Sequence, residues 1–230
     1  MSHEKTVFIF IGPPGSGKGS LSKMCVHELG WKQLSTGDLC RKHITKGTEI
    51  GKQIDFAIKS GKLVTDDLIV EMVDEWLEEC FAADECVILD GFPRTVPQAE
   101  ALGKLMKSKF NATELTIARL LIEDDQVVAR LSSRYICKND RCQAVYSLVK
   151  GSDLAPKKHM VCDACSEALI RRDDDTEESV RERLKTYHKH ENKLIEFYRS
   201  EGKDIIEFCV EKPLDAVFDD FKTLMGLDSA

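Results

Sequence analysis

Short unbroken apolar runs along the chain alternate with longer stretches in which apolar residues recur at every third or fourth position. Val7-Phe8-Ile9-Phe10-Ile11 is uninterrupted, the pattern of a strand buried on both faces. It ends in Gly12-Pro13-Pro14-Gly15, after which a helix is predicted from near Gly17 to Gly30. Cys86 to Leu89, Thr116 to Ile122 and Asp204 to Cys209 read as further core strands. Helical spacing fits Asp67 to Phe81, Pro97 to Lys107, Asp124 to Ser133 and Pro213 to Met225. The strongest helix signal begins at Asp175, the expected N-cap, with Glu178 three residues on. Val180, Leu184, Tyr187, Leu194, Ile195 and Tyr198 then recur along one face. Such alternation of β and α patterns predicts an α/β fold, a parallel sheet with helices on both sides.

Two stretches break the rhythm. Ser35 to Val64 reads as a helical insertion after a second, short strand. Arg134 to Arg172 has weak periodicity, several polar runs and four cysteines. An irregular loop of that length is uncommon in a compact domain unless it is a lid or is stapled by a metal.

Gly12-Pro13-Pro14-Gly15-Ser16-Gly17-Lys18 matches G-x-x-x-x-G-K between a buried strand and a helix, the context of a P-loop. Its glycines let backbone N–H groups wrap around phosphate oxygens, and the following helix adds its positive end. Lys18 reaches toward the outer phosphates. Gly19 stands where the motif usually carries its hydroxyl residue, and Ser20 follows with one. The motif establishes nucleotide binding and leaves the second substrate open.

Gly12 to Ser20 as a whole resembles the adenylate kinase form of the P-loop, with an extra glycine after the lysine. Ser35-Thr36-Gly37-Asp38-Leu39 with Arg41 is similar to that family's AMP-site signature. Asp90-Gly91-Phe92-Pro93-Arg94-Thr95 followed by Gln98 resembles its most diagnostic motif, and Gly61-Lys62-Leu63-Val64 the segment that closes over AMP. The resemblance runs in family order over nearly the whole chain and takes the long-lid form. It implies a three-layer P-loop core in residues 1–34, 65–132 and 176–230, a nucleoside-monophosphate-binding insertion in 35–64 and a lid in 133–175. The implied activity is reversible transfer of the terminal phosphoryl group of ATP to AMP, giving two ADP.

By the same resemblance, Gly15, Ser16, Gly17, Lys18, Gly19 and Ser20 hold the ATP phosphates. Thr36 lies beside the AMP base, Gln98 bonds it, and Lys62, Leu63 and Val64 line its nucleoside. Arg41 and Arg94 hold the AMP phosphate, beside Gly91, Phe92 and Pro93. Arg130 and Arg134 reach ATP and the transferring group, and Arg172 and Arg183 converge on the same centre. Val145 and Tyr146 sandwich the ATP base, which Lys212 touches from the C-terminal loop.

The chemistry asks for this many cations on its own terms. Phosphoryl transfer spreads negative charge over the equatorial oxygens, so catalysis is positioning plus electrostatic stabilisation. A phosphate acceptor is already anionic and needs no general base. Two polyanions held in line need Lys18, Arg41, Arg94, Arg130, Arg134, Arg172 and Arg183, with Mg²⁺ bridging ATP oxygens. Asp90, ending a buried strand, is the expected carboxylate near that metal, acting through water.

Cys137-x4-Cys142 and Cys162-x2-Cys165 form two knuckles suited to one tetrahedral, structural Zn²⁺. His159 in place of one cysteine, a disulfide, or free thiols are the alternatives. Cys25, Cys40, Cys80, Cys86 and Cys209 fall within expected helices and strands and read as packing residues. His188 and His190 read as helix-surface residues, and Asp173-Asp174-Asp175 as a helix cap and lid hinge.

Composition narrows the partners. Lys and Arg number 33 against 40 Asp and Glu, so the net charge is −7. That balance argues against nucleic acid or an anionic membrane as a partner. No apolar stretch is long enough to span a bilayer. The odd cysteine count, nine, and the polar start Met1 to Lys5 predict reduced thiols and a cytoplasmic location. Nothing demands more than a monomer. The competing readings are a kinase for UMP or CMP, a donor other than ATP, and a zinc-containing nucleotide-binding module without turnover.

Overall fold

A computed structural model describes residues 6–59, 65–81, 86–110, 113–139, 142–149 and 151–227. In chain order its elements are β1 (Thr6–Ile11), α1 (Lys18–Leu29), β2 (Lys32–Ser35), α2 (Thr36–Thr45), α3 (Glu49–Lys59) and α4 (Asp66–Phe81). There follow β3 (Val87–Asp90), α5 (Val96–Lys109), β4 (Glu114–Leu121), α6 (Asp124–Ser132), β5 (Arg134–Cys137), β6 (Val145–Ser147) and β7 (Leu169–Ile170). The chain closes with α7 (Glu177–Ser200), β8 (Ile205–Cys209) and α8 (Leu214–Leu224).

Five strands form one parallel sheet in the order β2-β3-β1-β4-β8. Every residue of β1 is buried, because strand alternation sends its side chains into two different cores. Val7, Ile9 and Ile11 pack with Val73 and Leu77 of α4, Leu102 of α5 and Leu194 of α7. Phe8 and Phe10 face the other way, onto Leu21 and Cys25 of α1 and Phe218 and Phe221 of α8. Three layers result, as the alternation predicts. Parallel strands place all their C-terminal ends at one edge, and Gly12, Asp90 and the residues after β4 emerge there side by side.

The stretch after Arg134, expected as a lid or metal-stapled unit with no strands assigned, has regular structure of its own. It carries a second, antiparallel sheet in the order β6-β5-β7. Strands of two to four residues are too short to display a period, which is why the pattern looked structureless. Among the described residues its buried cluster comprises Cys137, Tyr146, Cys162 and Leu169, with Tyr135, Ala144 and Met160 partly buried against it. So small an apolar core leaves the unit dependent on some other cross-link.

One boundary is corrected. Thr176, not Asp175, caps α7: its hydroxyl accepts the N–H of Ser179 at 3.2 Å. Asp175 is instead wholly buried and bonded to arginine.

Candidate active site

A single cavity of about 1750 Å³ runs along the C-terminal edge of the sheet, between the loop after β1, the loop after β3, the second sheet and α7. Pockets for one small-molecule ligand are typically of roughly 300–1,000 Å³. The cleft therefore has room for two nucleotides.

Its first wall is the loop Gly12 to Ser20. Gly15 and Gly17 adopt φ of 79° and 96°, a region that side chains rarely reach, which lets the loop turn tightly between β1 and α1. Gly19 has a separate reason to be glycine: a Cβ there would stand 3.3 Å from Oδ2 of Asp90. The residue after the lysine is small because a carboxylate crosses close behind it.

Lys18 folds back on its own loop, donating to the carbonyls of Gly12 at 2.7 Å and Pro13 at 2.8 Å. Burial pushes its ammonium down to about 8, against the pull of Asp90 and with the help of the Arg94 and Arg183 charges. Burial likewise raises the carboxyl of Asp90, opposed by Lys18, while Gln33 donates to it at 3.3 Å.

The second wall carries Arg41 and Arg94. Arg41 pairs with Asp38, and Arg94 Nε donates to the carbonyl of Gly91 at 2.8 Å. Thr36, Phe92 and Gln98 are buried behind this wall and are not brought to the cavity surface. The Thr36 hydroxyl donates to the carbonyl of Gly91 at 2.9 Å. Gln98 accepts the N–H of Arg94 at 2.7 Å and donates to Asp66 at 2.7 Å. Asp66 also accepts the Thr95 hydroxyl at 3.0 Å, so it fixes the loop from the start of α4. Sequence alone gave Asp66 no role, since a first-turn aspartate is an ordinary helix feature. Gly91 and Pro93 line the cavity, whereas Lys62, Leu63 and Val64 lie outside the described residues.

Between the walls three arginines share two carboxylates. Arg134 makes a two-pronged bridge to Asp175 at 2.8 and 2.7 Å. Arg172 does the same to Asp174 at 2.8 and 3.0 Å. Arg183 reaches both, at 3.1 Å and 3.5 Å. Burial would raise the carboxyl of Asp174, yet Arg172 and Arg183 hold it below the usual range. Arg130 stands apart, donating to the carbonyl of Val210 at 2.7 Å and tying α6 to the C-terminal loop. In that loop the Lys212 ammonium pairs with Asp220 of α8. The aspartate run was therefore misassigned as a cap. A row of acids directly after Arg171-Arg172 was the available signal, because charges so placed neutralise one another before any ligand arrives.

Across the cleft Val145 and Tyr146 both border the cavity. The Tyr146 ring is buried in the second sheet, its hydroxyl accepting the N–H of Asp163 at 2.8 Å and touching Cys162 Sγ at 3.4 Å. That hydroxyl serves the cysteines rather than a ligand. The four sulfurs of Cys137, Cys142, Cys162 and Cys165 lie within 4.8 Å of one another. Two pairs are 3.3 and 3.7 Å apart, close to the roughly 3.8 Å edge of a tetrahedron with 2.3 Å Zn–S bonds. Gln143 and Ser166, each directly after a knuckle's second cysteine, take matching left-handed φ of 47° and 62°. The donor set fits Zn²⁺, and His159 is not part of it. The wider Cys137-x4-Cys142 gap does not prevent closure. Burial pushes the Cys137 thiol up to about 12, whereas at Cys162 the Tyr146 hydroxyl and the N–H groups of Cys165 and Ala164 outweigh burial and hold it down to about 6.

Two outcomes follow from this geometry. A lysine pairs with phosphate only as the ammonium, so with Lys18 held down to about 8, kcat/KM for a nucleotide donor is expected to fall above pH 8. Lys18→Arg, with a side chain charged throughout this range, is expected to lack that limb; an identical limb would assign it elsewhere. Metal analysis is expected to return about one zinc per chain. Its chelation should lower the thermal midpoint and expose the amides of β5 to β7 to exchange while β1 stays protected. Protein carrying no metal, or indifferent to chelation, contradicts the closed site.

A family model described as adenylate kinase matches residues 10–203. The adenylate kinase of Petrotoga mobilis is 41% identical over 198 residues, 86% of this chain and 87% of the relative. That of Archaeoglobus fulgidus is 40% identical over 194 residues, 84% of this chain and 86% of the relative. That of Streptomyces avermitilis is 39% identical over 216 residues, 91% and 96% respectively. With a two-nucleotide cleft already built from its P-loop, arginines and second sheet, the chain belongs to the adenylate kinase family.

Proposed function

We propose that this enzyme moves the terminal phosphoryl group of magnesium-bound ATP to AMP, reversibly, giving two ADP. The observation that carries this reading is one cavity walled on one side by Lys18 and on the other by Arg41 and Arg94, with Arg134, Arg172 and Arg183 between. A nucleotide-binding module has little use for cations on both sides of the transferred group.

The residues act by position. The Gly15 to Ser20 backbone cradles the ATP phosphates, and Lys18 exchanges the carbonyls of Gly12 and Pro13 for phosphate oxygens. Arg41 and Arg94 hold the AMP phosphate opposite. Arg134, Arg172 and Arg183 trade Asp174 and Asp175 for the transferring group, whose charge they stabilise without needing a base. Mg²⁺ arriving with ATP would supply further positive charge there, and Asp90 would hold it through water. Thr36 and Gln98 serve the AMP site indirectly, by fixing Gly91 and Arg94. Val145 covers the ATP base, with Tyr146 stiffening the sheet beneath it; Arg130 and Lys212 brace the C-terminal loop on its other side. Residues 35–64, including Lys62 to Val64, form the AMP-binding insertion, 133–175 the zinc-braced lid, and the rest the core. Closing such a lid excludes water, which otherwise accepts the phosphate. No helix among the described residues is long and apolar enough to cross a membrane. The proposed partners are ATP, AMP and ADP, and the acidic net charge argues against nucleic acid; a cytoplasmic monomer is part of the proposal.

The test is turnover of ATP against AMP, UMP, CMP and GMP, with product counted. AMP is expected to be the preferred acceptor, yielding two ADP per AMP consumed. Arg183→Met is expected to lower kcat by about 10²- to 10³-fold with the fold intact. Preference for UMP or CMP would reassign the acceptor, and no turnover with any pair would leave only nucleotide binding.

A further inference from the structure

Lys23 lies one helical turn beyond Ser20 on α1, outside the phosphate-binding run. Its ammonium donates to the main-chain carbonyl of Gln143, 120 positions away in the second sheet's first knuckle, at 2.8 Å. Gln143 is the left-handed residue that follows Cys142. Its own N–H is held by the carbonyl of Asn139 at 3.0 Å, and its side-chain amide by the carbonyl of Cys137 at 3.3 Å. The carbonyl that Lys23 grips is thus a fixed part of the metal knuckle. The arginine–aspartate bridges at the other end of the lid join its two ends to each other and to α7, and none of them reaches α1.

The surroundings of this bond fit a closing contact. Beside it lies a side chamber of about 280 Å³, whose lining mixes Met24, Ala144, Val145, Leu154 and Leu214 with Ser20, His27, Glu28 and Lys23 itself. The bond therefore bridges lid and α1 beside an open gap and not within a packed interface. The bond itself is solvent-exposed. An exposed charge-assisted bond is weak enough to release on every turnover, which a lid must do.

We propose that Lys23 is a positioning residue for phosphoryl transfer: it latches the Cys142 knuckle of the lid onto the P-loop helix and so biases the lid toward closure before the donor binds. The idea rests on the phosphoryl-transfer reading for its kinetic consequence only. The latch itself is a property of the nucleotide-free protein.

The experiment compares the zinc-loaded full chain with its Lys23→Met and Lys23→Arg variants. Fluorophores on unnatural amino acids at the exposed positions Lys157 in the lid and Lys104 in α5 report lid–core distance. Without nucleotide, Lys23→Met is expected to move the distance distribution outward and Lys23→Arg, still a charged donor, to restore it. In turnover Lys23→Met is expected to raise KM for ATP by about three- to tenfold, leaving KM for AMP and zinc content unchanged. An unmoved distance distribution in nucleotide-free Lys23→Met overturns the latch even if KM rises, because Lys23 would then be acting on the nucleotide directly. Failure of Lys23→Arg to restore the distance also overturns it. Absence of turnover in the parent protein bears on the proposed activity and leaves the distance measurement decisive for the latch.

Discussion

Two nucleotides that exchange a phosphoryl group must bring several negative charges within a few ångströms, and everything in this cleft answers that repulsion. At an effective dielectric near 20, two unit charges 4 Å apart interact by about 4 kcal/mol. Cations are the remedy, yet Lys18, Arg94, Arg134, Arg172 and Arg183 clustered together repel one another in turn. Asp174 and Asp175 resolve the second problem. They hold Arg134, Arg172 and Arg183 as a set with most of its positive charge compensated, whose guanidinium groups need only change partners when phosphate arrives. Asp175 is wholly buried, so removing it would strand a charge rather than simply loosen a contact.

The fold serves that arrangement. A parallel sheet delivers Gly12 and Asp90 to the same edge from neighbouring strands, and the close crossing of Asp90 explains the glycine after Lys18. The second sheet has little apolar core of its own, and its four sulfurs stand in its place. Tyr146 shows the cost of that economy. Its ring is buried beside the sulfur cluster, and its hydroxyl contacts Cys162 Sγ and accepts the N–H of Asp163.

Legibility in the sequence followed the length of the physical signal. The apolar run of β1, the glycine loop and the long period of α7 are cooperative over many residues, and they placed the core and the P-loop correctly. The knuckle spacing identified the sulfur cluster, because ligands of one tetrahedral metal must come from few, close positions. Strands of the lid escaped notice because two to four residues hold no period. Asp175 was misread as a cap because a local rule for helix starts cannot see Arg134, far away in the chain and close in space. Thr36 and Gln98 belong to the right region, but their hydrogen bonds run to Gly91, Arg94 and Asp66, and only tertiary structure shows which of their atoms are already taken.

Phosphoryl exchange between two nucleotides requires two separate sites facing each other in one cleft. Titration of AMP into protein saturated with a non-hydrolysable ATP analogue tests it most directly. The account expects one AMP to bind per chain while the analogue stays bound. Displacement of the analogue by AMP in simple competition would mean a single site, and would contradict it.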